Sequence, residues 1–472
     1  MILQDFEAEL TNLSNLQHLR YRCDTDADLA LFAIQRQLQN RSETQPLRHR
    51  NDLFSVLGAG SRVDPVLAKL WSDVNSVPEW VDWSQLERGQ RVFHRYILAS
   101  ITGFVLQGFI GENSAASRVV EVLVLTGGFD PKNLTRRLKE TFGWLLEVTS
   151  DLESIQPGGK GHADTIRVRL LHAQVRQRVL ALAKRKPRYY DSAKYGLPIN
   201  TLDSVHSIST FCCSPMWSQL PKMGIYPTED EIKDYIALFR YLGHLLGVPQ
   251  ALFDTTARAQ KIMQAMMEHE SQPTATSQMV ARNFIQTMTS TRPHKLSNGF
   301  VAAGARCMNG DGLCDKLGIQ HANQLHYATF HGCCWLAITL CHLQRSCMAF
   351  DRFIISVRLA PNPVRKELTS AYRLLVEHST GSLLSLKPPA VRRSRSFLDL
   401  YQHCRPPLPT KRAQNTHLHC VSQWTPKICS EPFLYFMFVW SVRSRWLASG
   451  PFTAPSAQSP WLGFRYFSRM SQ

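Results

Sequence analysis

Helical periodicity constrains this chain more than any other feature. Apolar residues recur at steps of three and four through long segments, and no series of alternating apolar and polar residues indicates strands. At Asp64–Pro65 and Asp130–Pro131, an aspartate cap precedes a proline in the first helical position. Thr228 and Glu231 have the spacing of a capping box, and Gly127–Gly128 has the composition of a helix end. We therefore predict an all-α fold.

The predicted helices are separated by short stretches rich in glycine, proline and polar residues. They cover residues 84–110, 114–126, 131–149, 164–185, 200–211, 229–247, 250–269, 276–290, 318–345 and 363–378. We expect three parts: an N-terminal helical extension at 1–49, a helical domain at 50–387 and an irregular C-terminal tail at 388–472. The tail is basic, rich in proline and serine, and follows no helical or strand period. It is predicted to be disordered or to be a segment foreign to the fold.

The net charge of +17 would be typical of a nucleic-acid-binding protein if it formed one continuous patch. From Pro388 to the end there are eleven lysine and arginine residues against Asp399 and Glu431, so more than half of the excess lies in the tail. The rest of the chain has no basic groove with interleaved aromatic residues. This distribution predicts weak attraction to anionic surfaces, including peripheral contact with a membrane, and no specific nucleic-acid recognition. It does not indicate an oligomeric state.

Cysteine usage and hydropathy both predict an intracellular protein. The twelve cysteines include the adjacent pairs Cys212–Cys213 and Cys333–Cys334 but no Cys-x-x-Cys, which favours reduced thiols. No cysteine and histidine spacing matches a zinc site. The N-terminus lacks the apolar stretch of a signal peptide. The most apolar run, Pro432–Val442, is about half the length that spans a bilayer, so we expect no transmembrane helix.

His172 lies at the edge of the apolar stripe of the predicted helix 164–185. The stripe consists of Val168, Leu171, Val175, Val179 and Leu182. Arg169 and Arg176, three residues before and four after His172, project from the same side of the helix. Their charges disfavour the imidazolium form and leave a neutral ring that can ligate a metal. The alternative is a histidine at the edge of the core, flanked by two solvated arginines.

Several motifs stand in a fixed order along the chain. They are Val77–Asp82, Gly89, Arg137-x-x-x-Thr141, His172-Ala-Gln-Val-Arg176, Pro198-Ile-Asn200-x-x-Asp203 and Leu242–Pro249. In this order they resemble the catalytic domain shared by bacterial rubber oxygenases (latex-clearing proteins) and fungal oxygenases of the mycophenolic-acid type, which are bound to the endoplasmic reticulum. The resemblance covers about residues 50–270.

This resemblance implies a globin-like multi-helix domain that binds haem b non-covalently. It implies an oxygenase whose partners are dioxygen and a small apolar substrate, either isoprenoid-like or a secondary metabolite. Oxidative cleavage of a C=C bond is the expected reaction. Covalent haem attachment is excluded because the chain has no Cys-x-x-Cys-His motif. We expect a cytoplasmic protein or one peripheral to the endoplasmic reticulum.

The resemblance also implies a role for each site residue. His172 would be the axial ligand of the haem iron, and Arg169 and Arg176 could pair with the haem propionates. Arg137 and Thr141, which share one helix face, match residues on the opposite side of the haem that steady dioxygen or a developing oxyanion. Glu121, a carboxylate in an apolar segment, matches the base that takes an allylic proton.

Several alternatives remain open at this level. Glu140 stands where some rubber oxygenases have a lysine that can cap the iron, so we do not expect a lysine-capped closed state. Without the resemblance, Arg137 would be a solvated residue and Thr141 a space-filling one, and Glu121 would pair with Arg118 or lie at a solvated edge. The rival function is a helical scaffold that keeps the fold without the chemistry, as a haem-binding or interaction protein. In a third interpretation, the tail binds nucleic acid or an anionic membrane.

Overall fold

A computed structural model describes residues 13–42, 52–290 and 296–351. Within these ranges the chain forms helices joined by short turns, with an isolated antiparallel bridge between Ala116 and Ser271 and no strand. The all-α prediction is confirmed.

The α-helices are numbered in chain order. Those before residue 200 are α1 (Thr25–Ser42), α2 (Leu53–Gly60), α3 (Pro65–Asn75), α4 (Trp83–Gly103), α5 (Ser117–Leu125), α6 (Pro131–Val148), α7 (Leu152–Ile155), α8 (Lys160–Arg185) and α9 (Ser192–Tyr195). Those after it are α10 (Thr201–Ser214), α11 (Leu220–Lys222), α12 (Glu229–Leu245), α13 (Thr256–Glu270), α14 (Ala275–Ser290), α15 (Asn298–Asn309), α16 (Asp311–Lys316) and α17 (Gln324–Ser346). Two 3₁₀-helices, Leu13–Tyr21 and Gln250–Phe253, and two π-helical segments, Phe104–Asn113 and Pro215–Gln219, complete the set.

The helix ends form as the sequence predicts. Asp64 accepts hydrogen bonds from the first free N–H groups of α3, and Asp130 accepts one from the start of α6. Thr228 and Glu231 form a reciprocal capping box at the start of α12. After α5 the chain reverses at Gly127, whose φ of 71° lies in the left-handed region that glycine adopts without a steric penalty.

The predicted helix 84–110 differs from the observed one, because the chain changes from α to π geometry at Phe104. The wider π-helical turns lie where the backbone at Gly103 and Gly111 is close to side chains from other helices. A Cβ at Gly103 would lie 2.6 Å from Oε1 of Gln219, and one at Gly111 would overlap the side chain of Asn309. Apolar periodicity alone does not distinguish the two helix types, so the change was not predictable from the apolar pattern.

Two helices that the sequence did not predict, α15 and α16, follow each other directly. Their segment contains Asn298–Gly299 and Asn309–Gly312, a composition typical of turns. Tertiary packing overrides this local preference, because α15 is buried along the small residues Ala302–Ala305 against the π-helical segment Phe104–Asn113 and α17. The predicted helix 318–345 begins six residues later, at Gln324, where Asn323 caps it.

The largest core cluster is centred on α4, which packs along α12. Their close approach depends on Gly89, where a Cβ would lie 2.5 Å from the carbonyl oxygen of Asp234. Arg88 then reaches the Asp234 carboxylate, with 2.8 Å between Nε and Oδ2. Gly89 is therefore a packing residue of the α4–α12 contact.

The N-terminal residues pack against the helical domain. In a second core cluster, α1 lies against α3 and against the first half of α8, with Ala27, Leu31 and Ile34 facing Ile166 and Leu170. The proposed boundary at residue 49 falls among residues outside the described ranges, as do the predicted helix 363–378 and the tail 388–472.

None of the described cysteines is part of a disulfide, and Sγ of Cys212 lies 3.2 Å from Sγ of Cys213 without a bond between them. Across the described ranges, no helix is both long and apolar enough to cross a bilayer.

Candidate functional site

Helix α8 is the element that positions His172, and it is buried on more than one side. Ile166, Leu170 and Ala173 belong to the cluster shared with α1 and α3. Val175 and Val179 belong to a different cluster, shared with α5 and the segment around Tyr190. His172 lies next to Ala173, between these two apolar surfaces. A helix buried on several sides needs a specific partner for each polar side chain it carries.

The ring of His172 is held in its neutral form. Burial lowers the pKa of His172 to about 4, and the positive charges of Arg176 and Arg137 act in the same direction, opposed by Asp24. No hydrogen bond joins the ring to any residue in the described ranges. At neutral pH the residue therefore offers an unprotonated nitrogen with no protein partner.

Both arginines that flank His172 are buried and paired, so the alternative of two solvated arginines is wrong. Arg176 is 2% exposed and Arg169 is 4% exposed. Arg176 donates to Asp28, with 2.8 Å between Nη2 and Oδ1. Arg169 donates to Asp24 with 2.6 Å between Nε and Oδ2. Haem propionates could bind these arginines only by sharing them with the carboxylates of Asp24 and Asp28 or by displacing those carboxylates. The predicted role of both arginines therefore stays a prediction.

The backbone around Ile199 is shaped to meet Arg176. Ile199 has a φ of 49°, which is unusual for a β-branched residue and carries a steric cost. Its carbonyl oxygen accepts a hydrogen bond of 2.7 Å from Nη1 of Arg176. The next residue, Asn200, caps α10 in a capping box with Asp203, as the sequence predicts. The Pro198–Asp203 motif thus gives Arg176 a second anchor besides its ion pair with Asp28.

The Asp28–Arg176 pair makes a stability prediction. Asp28→Asn should lower the free energy of unfolding by about 2–4 kcal/mol, because it leaves a buried guanidinium without its counter-charge while Asp28 itself is partly exposed. The control is Asp26→Asn on the same helix, which removes a solvent-exposed pair with Lys69 and should have a much smaller effect. Urea unfolding followed by circular dichroism measures both. Equal effects of the two variants would contradict the prediction.

Helix α6 brings Arg137 toward His172, since the charge of Arg137 acts on the imidazole. Arg137 lies beside Glu140, with 3.6 Å between Nη1 and Oε2. Nε of Arg137 and Oε1 of Glu140 are buried without a hydrogen-bond partner among the described residues. Burial raises the pKa of Glu140 above its usual value, against the lowering effect of Arg137. Thr141 donates its hydroxyl proton to the carbonyl oxygen of Arg137 at 3.0 Å, which leaves the hydroxyl oxygen free to accept.

Glu121 lies on a different helix, α5. It is half-buried, and its charge acts on Tyr190 and Lys194, not on His172. Arg118 pairs instead with Glu270 and with Asp203, so the alternative in which Arg118 neutralises Glu121 finds no support. Helices α5 and α8, which carry Glu121 and His172, share a buried apolar cluster. It consists of Val122, Val175, Val179 and Tyr190, with Leu125 and Leu171 at its edge.

The structure thus groups His172 with Arg137, Glu140 and Arg176, whereas the charge of Glu121 acts on Tyr190 and Lys194. The residues that sequence reasoning missed are Asp24 and Asp28, which fix the two arginines. Their only signal in the sequence is an acidic run, Asp24-x-Asp26-x-Asp28, at the start of a helix, where such residues are common in any case.

Comparison with known proteins identifies the family. The sequence model described as "ER-bound oxygenase mpaB/B'/Rubber oxygenase, catalytic domain" matches residues 90–339. The chain belongs to this rubber oxygenase family. Its fold is similar to the solved structure of latex clearing protein LCP in the closed state, with a TM-score of 0.52 and 17% sequence identity. That match covers 76% of this chain and 91% of the other. A search of curated protein sequences finds no match.

Membership of the rubber oxygenase family means that the chain has an oxygenase-type catalytic domain. One observation of the structure fits a bound haem group, namely the state of the His172 ring. A haem iron needs one strong axial ligand from the protein, and a neutral imidazole is such a ligand. His172 is neutral and has no hydrogen-bond partner in the described part of the chain.

Proposed function

We propose that this protein is a haem b-dependent oxygenase that acts on an apolar, isoprenoid-like or secondary-metabolite substrate by oxidative cleavage of a C=C bond. The observation that carries the proposal is His172, an imidazole that is neutral, has no hydrogen-bond partner in the described part of the chain and lies near two cationic side chains of an oxygenase-type domain. Burial, aided by the charges of Arg176 and Arg137, lowers the pKa of His172 to about 4, so the ring is unprotonated at neutral pH.

Each of the remaining residues has a task that its own chemistry allows. Arg137 stays cationic and can stabilise negative charge that develops on an oxygen atom nearby. The Thr141 hydroxyl oxygen can accept a hydrogen bond from a group in the same place, since its own proton is already donated to the helix. Glu121 can take a proton from the substrate. The haem, when bound, supplies the iron centre that activates dioxygen.

Membership of the rubber oxygenase family supports the choice of substrate, since rubber is an apolar, isoprenoid polymer. The cluster of Val122, Val175, Val179 and Tyr190, which α5 and α8 share, is apolar as well. A hydrocarbon chain that leaves water on binding gains about 25 cal/mol per Å² of apolar area.

An absorption spectrum of the purified protein tests the proposal. Expressed with adequate iron and haem precursor, the full chain should show a Soret band and about one haem per chain by the pyridine haemochrome assay. A folded but colourless protein that takes up no added haemin would contradict the proposal.

That second outcome would favour the scaffold alternative, in which the chain keeps the fold without the chemistry. Two observations speak for it. Asp24 and Asp28 already occupy the arginines beside His172, and Glu140 replaces the lysine of some relatives. Circular dichroism of the same sample distinguishes a helical scaffold from a misfolded product.

A further inference from the structure

A cavity of about 80 Å³ lies away from His172, between the π-helical segment Phe104–Asn113, α10 and α13. One part of its wall is polar and includes Glu112, His206 and Lys222. Another part consists of the methionines of α13. They are Met263, Met266 and Met267. Such a combination of a few placed polar groups with an apolar wall is typical of a small-molecule site.

The π-helical turn builds the polar wall. A π-helix has a wider turn than an α-helix, with backbone hydrogen bonds between residues five apart, and here Nε2 of Gln107 donates to Oε1 of Glu112, five residues later, at 2.8 Å. In an α-helix these two side chains would point about 140° apart. Thr210 and Ser214 donate to the other oxygen of Glu112 at 2.9 and 3.0 Å. The carboxylate is therefore fixed, with three of its lone pairs in use.

Lys222 closes the other side of this wall. Its Nζ donates to Oε1 of Gln107 at 3.2 Å and to the carbonyl oxygen of Met308 at 2.6 Å. An ammonium group has three protons, so one remains for a ligand. Since the charges of Lys222 and Glu112 offset each other, the wall carries no net charge that would favour an ion.

His206 is the group that lacks a partner. It is 5% exposed, and neither ring nitrogen has a hydrogen-bond partner among the described residues. Burial lowers the pKa of His206, so the ring is neutral with one N–H and one lone pair, although Glu112 and Glu270 oppose the shift. A buried polar group without a partner in a native fold calls for a ligand or an ordered water.

We propose that this cavity binds a short-chain aldehyde or ketone. The carbonyl oxygen would accept the hydrogen bond that His206 has to offer, with the unused proton of Lys222 as a second donor. The alkyl group would lie against the methionine wall. At about 10–15 Å³ of such space for each water-sized group, the cavity holds about five to eight non-hydrogen atoms. A carbonyl oxygen has two lone pairs and no proton, so it can accept from His206 and Lys222 at the same time.

Butanone is the probe that tests the proposal, with the full chain and ligand-observed saturation-transfer NMR. Butanone should bind with a millimolar Kd, as expected for so few atoms. 2-Methyl-1-butene has the same shape with CH₂ in place of oxygen, and it should bind about tenfold more weakly because it leaves His206 unpaired. Equal binding of the two, tighter binding of butanoate, or no binding of butanone would each overturn the proposal.

Two variants locate the site. His206→Phe fills the cavity and removes the donor, and it should abolish the butanone signal. Met267→Phe fills the cavity from the other wall at a half-buried position, which keeps the test usable if His206→Phe fails to fold. The control is His244→Phe, a half-buried histidine that contacts Trp80 outside this cavity and should bind butanone as the parent does. Retention of the signal in a folded Met267→Phe protein would also overturn the proposal.

Discussion

His172→Ala should give a folded protein that binds haem at least about a hundredfold more weakly than the parent. Loss of an outer partner of a metal ligand already costs about ten- to a hundredfold in affinity, and loss of the ligand itself should cost more. Two other buried histidines do not replace it, because each already has a backbone partner. His94 is engaged with the carbonyl oxygen of Thr149 at 2.6 Å, and His162 with that of Val74 at 2.7 Å. The measurement is haem content and Soret absorbance after reconstitution with haemin.

A control on the same helix separates ligation from folding. His162→Ala removes an equally helical and fully buried imidazole that is hydrogen-bonded to backbone, so it should lower stability but keep the Soret band. His172→Gly with added imidazole should recover haem binding, since the free ring can occupy the space that the side chain leaves. If His172→Ala retains a full and spectrally unchanged complement of haem, another residue holds the iron.

Local signals made most of the fold predictable, because caps and apolar periodicity act within one or two turns. Asp64, Asp130 and Thr228 begin their helices by hydrogen bonds to neighbours two or three residues away. Helix α15 was not predictable on this basis, because its glycine- and asparagine-rich sequence is held helical by packing on the segment Phe104–Asn113. The same limit applies to that segment, where Gly103 and Gly111 lie close to Gln219 and Asn309, residues distant in the sequence.

The candidate site was predictable where it depends on one helix and not where helices meet. The four-residue spacing places Arg137 and Thr141 on one turn, and the hydrogen bond between them follows from it. The partners of Arg169 and Arg176 lie about 145 residues earlier in the chain. Nothing local distinguishes Asp24 and Asp28 from ordinary acidic residues at a helix start. The same limit applies to Glu121, because Tyr190 and Lys194, on which its charge acts, lie about 70 residues later in the chain.

Glu121→Gln should reduce turnover by about a hundredfold to ten-thousandfold, the range typical of a general base. Glutamine keeps the shape and hydrogen-bonding capacity of the side chain but cannot take a proton at neutral pH. Haem content should be unchanged, because the charge of Glu121 acts on Tyr190 and Lys194 and not on His172. Product formation from an isoprenoid oligomer, measured per haem under steady-state conditions, is the readout.

Glu121 can act as a base only if it contacts the substrate. Glu121 lies on α5 and His172 on α8, and the two helices share the buried cluster of Val122, Val175 and Tyr190. Because Glu121→Gln removes only the basicity of the side chain, it should lower kcat and leave KM for an apolar substrate unchanged. Glu87→Gln on α4 makes the same chemical change at an exposed carboxylate paired with Arg91, and it should leave both constants unchanged. If Glu121→Gln stays within a fewfold of the parent, Glu121 is an edge residue, and the buried Glu140 beside Arg137 becomes the carboxylate to test next.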